Sequence, residues 1–213
     1  MSWLSKPIVW CALWISLLGC AQRQAEQVGK QPHALPILSR KEWNGTDSVY
    51  RTIRSFSLLN QDSQIITGKR LLGKIHVADF FFTSCPSICP IMTGHLKKVQ
   101  EAFSGDTSVL IVSYSIDPEH DRPHVLRAYA KERGIDTRTW WLLTGPRDSI
   151  YALCTEDYLA YARPDSQAPG GFVHSGFLFL VDRQGLIRGA YDGTTASKVE
   201  ELIQHIQQLK YVP

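Results

Sequence analysis

KIHVADFFFTSCPSICP, residues 74–90, runs from a mostly apolar segment into two cysteines, Cys85 and Cys89, each followed by a proline. The apolar segment is short and does not alternate with polar residues, which predicts a central strand buried on both faces. Proline disfavours helix at the residue before it and is well placed at the first position of a helix. We therefore expect a strand, a loop that carries Cys85, and a helix from Pro90 to about Phe103. Cys89 would lie at the N-terminus of this helix, immediately before its first residue.

A second apolar run, SVLIVSYSI at residues 108–116, follows the predicted helix. Strand, helix and strand at this length form a βαβ unit, in which the two strands are parallel. Asp121 is then predicted as the N-cap of a further helix that ends at Gly134. A short strand over Trp140 to Leu143 and a helix opened by Pro146 follow in the sequence.

Hairpins are predicted on both sides of this unit, at Ser55 to Thr67 and at Ser175 to Tyr191. The stretch from Thr155 to Val173 has weak periodicity and is predicted as an extra loop before the penultimate strand. Loops of this length are often functional, and we expect this one to be mobile. The last helix, about Ser197 to Leu209, has one apolar face. Parallel strands, a later antiparallel hairpin and a closing helix predict a thioredoxin-like α/β sandwich with an N-terminal β-hairpin.

The overall composition excludes one class of partner. The chain has 213 residues, with 23 basic residues against 20 acidic ones, and its net charge is only +3. No basic block stands out, so we expect no nucleic-acid partner. A hydrophobic content of 44% is ample for one packed domain.

The N-terminus has the features of an export signal. Lys6 precedes an apolar run from Ile8 to Leu18, which is short for a membrane span of about 20 residues. The run ends in Leu-Leu-Gly-Cys, and this resembles the lipobox of bacterial lipoproteins, with Cys20 as the lipidated residue. An uncleaved membrane anchor is the alternative. Both interpretations place the protein in the bacterial cell envelope, facing the periplasm or extracytoplasmic space.

These features divide the chain into three parts. Residues 1–19 are predicted as a lipoprotein signal peptide, residues 20–49 as the lipidated N-terminus and tether, and residues 50–213 as the folded domain. The folded part retains Cys85 and Cys89 together with Cys154, which is predicted to be a buried small hydrophobe. Outside the cytoplasm disulfides persist, so an adjacent thiol pair must be kept reduced by a partner.

The chemistry of the cysteine pair leaves two main functions open. The positive end of a helix dipole lowers the pKa of a nearby thiol, and both disulfide exchange and metal binding require the thiolate. Thioredoxin-type oxidoreductases generally use C-x-x-C, whereas three residues separate Cys85 and Cys89. This spacing weakens the redox interpretation without excluding it. Two inert buried thiols are a third interpretation.

A metal ion would need a further ligand beside the two thiolates. His174 follows a Gly-Gly loop and precedes an apolar strand, and a loop at this sheet edge could bring it over the cysteines. A lone histidine before a strand is also commonly just a loop residue. Asp79, inside the strand before the cysteines, is either a satisfied buried carboxylate or a tuner of the thiols. Thiolates suit Cu(I) and imidazole suits copper generally, while a structural zinc site would require a fourth ligand.

Four segments in order, DFFFTSCPSICP, SIDPEHD, LLTG and VHSGFLFLVDRQG, resemble the Sco/SenC family of copper-binding assembly proteins. The resemblance extends from about Ser55 to Leu209. It implies that Cys85, Cys89 and His174 together bind one copper ion, as Cu(I) or Cu(II). It also implies a carboxylate near the ligands, that of Asp117.

One position departs from the family pattern, because Ser87 stands where the family often has aspartate. This substitution removes a negative charge near the ligands and is expected to affect affinity or partner choice rather than ligation.

The resemblance implies a membrane-tethered copper chaperone for the binuclear copper site of cytochrome c oxidase. The implied partners are the copper-bearing subunit of that oxidase, an extracytoplasmic thiol reductant, and a membrane reached through the lipid anchor. Whether the chain is also an enzyme stays open, because Cys85 and Cys89 would be catalytic in a thiol-disulfide oxidoreductase acting on extracytoplasmic cysteine pairs. A copper or redox sensor is a third class.

Overall fold

The computed structural model describes residues 34–211. Its strands and helices appear in the following order, with 3₁₀ and π turns between them. They are β1 (Lys41–Trp43), β2 (Ser48–Tyr50), β3 (Ser57–Asn60), β4 (Ile65–Thr67), β5 (Ile75–Phe81), α1 (Ile88–Ala102), β6 (Val109–Ser115), α2 (Pro123–Arg133), β7 (Trp140–Thr144), α3 (Arg147–Ala152), β8 (Ala162–Pro164), β9 (Phe172–His174), β10 (Phe177–Val181), β11 (Ile187–Asp192) and α4 (Ala196–Tyr211).

A seven-stranded mixed sheet forms the centre of the fold, in the order β11-β10-β5-β6-β7-β3-β4. The strands β5, β6 and β7 are parallel, whereas β10 and β3 pair antiparallel with their neighbours. Every residue of β5, β6 and β7 is buried, as their unbroken apolar sequences predict. The βαβ unit and both predicted hairpins are therefore confirmed, and with them the thioredoxin-like α/β architecture.

Helices α1 and α4 pack against each other, and α4 also packs on β5 and β11. Their buried faces repeat at helical spacing, with Met92, Leu96 and Val99 on α1 and Leu202 and Ile206 on α4. This layer covers the sheet beside the strand that leads to the cysteines.

Helix α1 begins at Ile88, two residues before the predicted start at Pro90. The first turn of a helix has no intrahelical partner for its backbone N–H groups, so a proline there removes no helical hydrogen bond. Cys89 consequently lies within the first turn of the helix rather than ahead of it.

The prediction that Asp121 caps helix α2 is wrong. The residue at the N-cap position is Arg122, and no side chain caps this helix. The Asp121 carboxylate is fully buried and accepts hydrogen bonds from Ser115 Oγ at 2.6 Å and from the backbone N–H and the hydroxyl of Thr83. The Asp121 carboxylate therefore binds tertiary partners, Thr83 and Ser115, and not the backbone N–H groups of α2. The end of α2 at Gly134 is as predicted, with a left-handed φ of 61°.

The predicted loop of residues 155–173 contains more regular structure than its sequence suggests. A π turn over Leu153–Asp157 continues α3, and β8 pairs antiparallel with β9, placing Ala162 opposite His174. This small sheet is separate from the central one.

The described structure includes buried residues and strands before residue 50, where the folded domain was expected to begin. Leu35 and Ser39 are buried, Leu38 N–H donates to Ile187 O at 2.8 Å, and β1 pairs with β2. The compact unit thus begins at Leu35. The predicted signal peptide and Cys20 lie outside the described residues. Among residues 34–211, no helix has the length and apolar character needed to span a membrane.

Candidate metal centre

Three side chains from separate segments converge at one end of the parallel strands. Cys85 lies in the loop after β5, Cys89 in the first turn of α1, and His174 at the end of β9. Their ligand atoms all lie within 4.8 Å of one another, and Cys89 Sγ is 3.4 Å from His174 Nε2. Within residues 34–211 this is the one group of three or more His, Cys, Asp or Glu side chains that is arranged so closely.

Aromatic packing holds the histidine segment against the cysteine loop. The Phe82 ring, just before the loop, lies 5.8 Å from the His174 ring at nearly a right angle and 5.2 Å from the Phe172 ring. The backbone of Gly170 lies so close to the Phe82 ring that a Cβ atom at this position would be 2.8 Å from Phe82 Cε2. The φ of Gly170 is +79°, in the left-handed region. The Gly-Gly turn therefore permits the approach that brings His174 to the sulfurs.

The histidine side chain is oriented by its neighbours. His174 Nδ1 lies 3.1 Å from the carbonyl oxygen of Ser175. A carbonyl can only accept, so Nδ1 carries the proton and Nε2 presents its lone pair toward Cys89. A metal-binding histidine commonly has this arrangement, since the hydrogen bond at one nitrogen fixes the tautomer that ligates through the other.

The two thiols are buried and electrostatically coupled. The exposed fractions of Cys85 and Cys89 are only 8% and 2%. A hydrogen bond with the adjacent Cys89 side chain lowers the pKa of Cys85, although burial opposes this shift. The pKa of Cys89 is raised, first because its thiol proton is shared in a hydrogen bond with the Cys85 sulfur and second because the thiol is buried. The pair thus holds one negative charge readily, and a bound cation would favour loss of the second proton.

Ser87, the departure from the family pattern, lies beside the pair. Its Oγ is 3.6 Å from Cys85 Sγ, within reach of a weak sulfur hydrogen bond. The hydroxyl contributes a dipole here, where an aspartate would contribute a full negative charge.

Asp79 is buried behind the cysteine pair. Burial raises its pKa to about 7, although a hydrogen bond from Ser113 opposes this shift. The indole of Trp140 in turn donates to Ser113 Oγ at 2.9 Å. Ionised Asp79 also contributes to the raised pKa of Cys89. The carboxylate is therefore both hydrogen-bonded in the core and electrostatically coupled to the thiols, which unites the two roles considered from the sequence.

Asp117, implied near the ligands, is placed at the end of β6. Its carboxyl pKa is raised by burial and by neighbouring Asp121. In the described part of the chain, no hydrogen bond or ion pair joins Asp117 to the three ligands, so its role near the metal stays a prediction. Asp121 instead contacts the chain beside the cysteines, because its carboxylate accepts a hydrogen bond from the backbone N–H of Thr83, two residues before Cys85. The local sequence pattern pointed to capping and gave no signal of this contact.

Cys154 is fully buried, as predicted, and burial raises its thiol pKa to about 12. It is not in the ligand group. The candidate ligand group therefore consists of Cys85, Cys89 and His174.

The geometry of the group fits a single first-row metal ion. Metal–sulfur and metal–nitrogen bonds of about 2.3 and 2.0 Å place three ligand atoms in a trigonal plane about 4 Å apart. The observed spread, at most 4.8 Å, is close to this value, so small movements suffice to close the group around an ion. The two thiolates are soft donors and imidazole is a common ligand of copper, whereas a closed structural zinc site would take one ligand more.

The fold and the ligand group define a class: a thioredoxin-like α/β protein with a candidate metal-binding group of two thiols and one imidazole. The sequence model of the SCO1/SenC family matches residues 44–210. The chain therefore belongs to the SCO1/SenC family.

Solved structures of other proteins are similar to this chain. A SCO1/SenC family lipoprotein from Bacillus anthracis is 30% identical with a TM-score of 0.69, covering 75% of this chain and 95% of its own. BsSco, described as a Sco-family cytochrome c oxidase assembly protein with a disulfide switch, is 26% identical with a TM-score of 0.67, covering 76% and 95%. Yeast Sco1 with copper bound is 28% identical with a TM-score of 0.59, covering 76% and 91%.

Proposed function

We propose that this protein is a membrane-tethered copper chaperone that binds one copper ion through Cys85, Cys89 and His174 and serves the assembly of the binuclear copper site of cytochrome c oxidase. The observation that carries the proposal is the convergence of these three ligand atoms within 4.8 Å, from a loop, a helix and a strand that are far apart in sequence.

The donor set favours copper over other ions. Thiolates prefer Cu(I), and imidazole accepts both copper oxidation states. With two thiolates and a neutral imidazole, the Cu(I) complex carries one negative charge and the Cu(II) complex is neutral. The same donors thus hold both states without exchange of ligands. The copper-bound structure of yeast Sco1 supports this choice of metal.

A carrier must also release its metal. Three protein ligands leave a coordination position open, through which a ligand of the receiving protein can enter. An open cleft lined by Cys85, Ser87, Phe172 and His174 leads to the ligand group. The receiving protein is, in this proposal, the copper-bearing subunit of cytochrome c oxidase, in line with the assembly role given for BsSco.

The location follows from the N-terminal sequence. Cys20 is the proposed lipidation site, and the similar Bacillus anthracis protein is itself described as a lipoprotein. The domain then faces the periplasm or extracytoplasmic space. Oxidation of Cys85 and Cys89 to a disulfide would remove both sulfur ligands, so an extracytoplasmic thiol reductant is a second partner.

A second candidate function is thiol-disulfide oxidoreductase activity. The lowered pKa of Cys85 favours it, since the thiolate is the attacking species. In this reaction Cys85 and Cys89 give up two electrons and two protons and form a disulfide, while the substrate disulfide becomes two thiols. The disulfide switch described for BsSco concerns this kind of chemistry.

Addition of Cu(II) to the reduced protein distinguishes the two functions. Strong thiolate-to-copper absorption bands are expected in the wild type and should be lost in Cys85→Ala, Cys89→Ala and His174→Ala. Cys154→Ala, which removes a thiol outside the group, is the matched control and should retain the bands. Bands that persist in His174→Ala, together with metal-free reduction of a disulfide substrate by that variant, would contradict the chaperone and support the oxidoreductase.

A further inference from the structure

The β1–β2 hairpin is a two-stranded sheet that is not hydrogen-bonded to the central sheet. All residues of both strands are exposed, and the exposed fraction of Trp43 is 69%. Isolated two-stranded hairpins are marginally stable in water, so a surface that covered one face of this hairpin would stabilise it. Within the described part of the chain, the side chains of this hairpin therefore remain open to solvent.

The strand register sorts the hairpin side chains onto two faces. Lys41 lies opposite Tyr50 and Trp43 opposite Ser48, so alternation along the strands puts these four side chains on one face. Lys41 Nζ is 4.8 Å from the centre of the Tyr50 ring. The pair of Glu42 and Val49 occupies the other face.

The first face combines the residue types that favour the boundary between lipid and water. Tryptophan and tyrosine concentrate at the level of the lipid headgroups, where the ring is buried and its polar atom remains hydrated. A lysine beside them is attracted to anionic headgroups. Its acidic neighbour, Glu42, is directed to the opposite face, away from such a surface.

The position of the hairpin in the chain brings it close to a membrane. Lys41 lies 21 positions after Cys20, the lipidation site in the proposed function. At most about 3.6 Å per residue, this connection spans no more than roughly 75 Å. Tethering at this length keeps the local concentration of the lipid surface high, so a contact that is weak on its own becomes well populated.

We infer that the hairpin face of Lys41, Trp43 and Tyr50 docks onto an anionic lipid surface and so orients the domain on its membrane. This inference rests on the lipid anchor of the proposed function. It concerns a different part of the molecule from the metal ligands and does not depend on copper.

Tryptophan emission provides a direct test. The sequence contains six tryptophans, and three of them lie within residues 1–19, which signal cleavage would remove. Trp140 and Trp141 are buried, with exposed fractions of 1% and 8%. Quenching by brominated lipid acyl chains in the mature lipidated protein therefore reports on Trp43.

The full lipidated chain is reconstituted into phosphatidylcholine vesicles with and without phosphatidylglycerol. We expect loss of most of the Trp43 emission in brominated anionic vesicles, less quenching without phosphatidylglycerol, and almost none in Trp43→Phe. Lys41→Glu should reduce quenching in the anionic vesicles. A matched control carries Trp43→Phe and Val49→Trp, which moves the indole to the opposite face and should leave it unquenched.

The outcomes separate docking from anchoring. Wild-type protein that sediments with the vesicles but is not quenched would overturn the docking and leave the anchor standing. Equal quenching from position 49 would overturn the assignment of the face. Protein that stays in the supernatant would contradict the anchor and the docking together. Protection of Trp43 only by an added oxidase subunit would identify a protein, not lipid, as the occupant.

Discussion

The two cysteines and the histidine are held by different kinds of structure. The sulfurs belong to the junction of β5 and α1, where the strand is buried along its whole length and the helix packs on the central sheet. The histidine belongs to the β8–β9 sheet, whose pairing is three residues long and whose strand β9 is only half-buried. We call this second region, residues 162–174, the histidine arm.

The difference indicates which part of the group can change. Local opening costs least where few apolar contacts and few backbone hydrogen bonds must be broken. The thiol pair is fixed by the core of the domain, whereas the histidine arm rests on Phe82 and on a close glycine contact. Entry and release of the metal are therefore expected to involve the arm, with the thiol pair as the constant part.

Removal of a proposed ligand should have the largest effect on copper affinity. It also tests whether the histidine arm contributes to copper binding. We expect Cys85→Ala and Cys89→Ala to weaken Cu(I) binding most, because the soft ion prefers sulfur. His174→Ala should cost less than either, yet more than the roughly 10–100-fold loss that follows removal of an outer hydrogen-bond partner. Competition with a Cu(I) chelator measures all three. Wild-type affinity in His174→Ala would show that the arm carries no ligand.

The next effect concerns the core beneath the thiol pair. The pKa of Asp79 is about 7 in the folded metal-free protein, against about 3.9 in an unfolded chain. Between these values the folded state binds the proton and the unfolded state does not. The free energy of unfolding therefore falls as the pH rises through this window, by up to a few kcal/mol in total.

Asp79→Asn removes this proton linkage and should stabilise the metal-free protein relative to wild type at pH 8 but much less at pH 4. Other groups that act on Asp79 are Ser113, His174 and Cys89, so the comparison is also made in a Cys89→Ala background. Denaturant unfolding at several pH values provides the measurement. A pH-independent difference between variant and wild type would argue against a buried proton on Asp79.

A smaller effect is expected from the arm's glycine contact. Alanine at either Gly170 or Gly171 is strained by about 1–2 kcal/mol, because both have φ near +80°. Only at Gly170 would the new Cβ meet Phe82, whereas a Cβ at Gly171 has nothing within 4 Å. Gly170→Ala should therefore lower copper affinity roughly tenfold, as disturbed ligand positioning does, and Gly171→Ala should leave affinity near wild type. Equal affinities would mean that the arm position is not set by this contact.

The smallest expected effect is electrostatic and restricted to the thiol pair. Ser87→Asp places a negative charge close to Cys85 Sγ, which opposes ionisation of that thiol. We expect the pKa of Cys85 to rise by about half a unit, equivalent to about 0.7 kcal/mol. The rate of alkylation as a function of pH measures this shift. Ser87→Asn, of similar shape and uncharged, is the control and should leave the pKa close to that of wild type.

The thiol region was predictable from local sequence because its signals are local. An unbroken apolar run, prolines after both cysteines and helical spacing of Met92, Leu96 and Val99 determine β5, α1 and the place of the pair. The start of α1 was misplaced by two residues, because proline is accepted anywhere in the first helical turn.

The histidine arm was not predictable in the same way. The Gly-Gly loop and the apolar strand beside His174 made it a candidate ligand but did not separate it from an ordinary loop histidine, and its place depends on Phe82, which is remote in sequence. The resemblance to a family was needed to favour it. Asp121 shows the same limitation, since a capping pattern was present but partners 38 and 6 positions away took its carboxylate. The strands of the β1–β2 hairpin are three residues long and wholly exposed, so they carry no apolar pattern.

The burial of Cys154 simplifies the chemistry of oxidation. The three free thiols within residues 34–211 allow three alternative intramolecular bridges, and two of those would trap the protein in a mispaired form. A thiol that is fully enclosed and ionises only near pH 12 takes almost no part in exchange. An oxidant is thus directed to a single reversible product, the Cys85–Cys89 disulfide, and a reductant can restore the two thiols without any need to correct mispaired isomers.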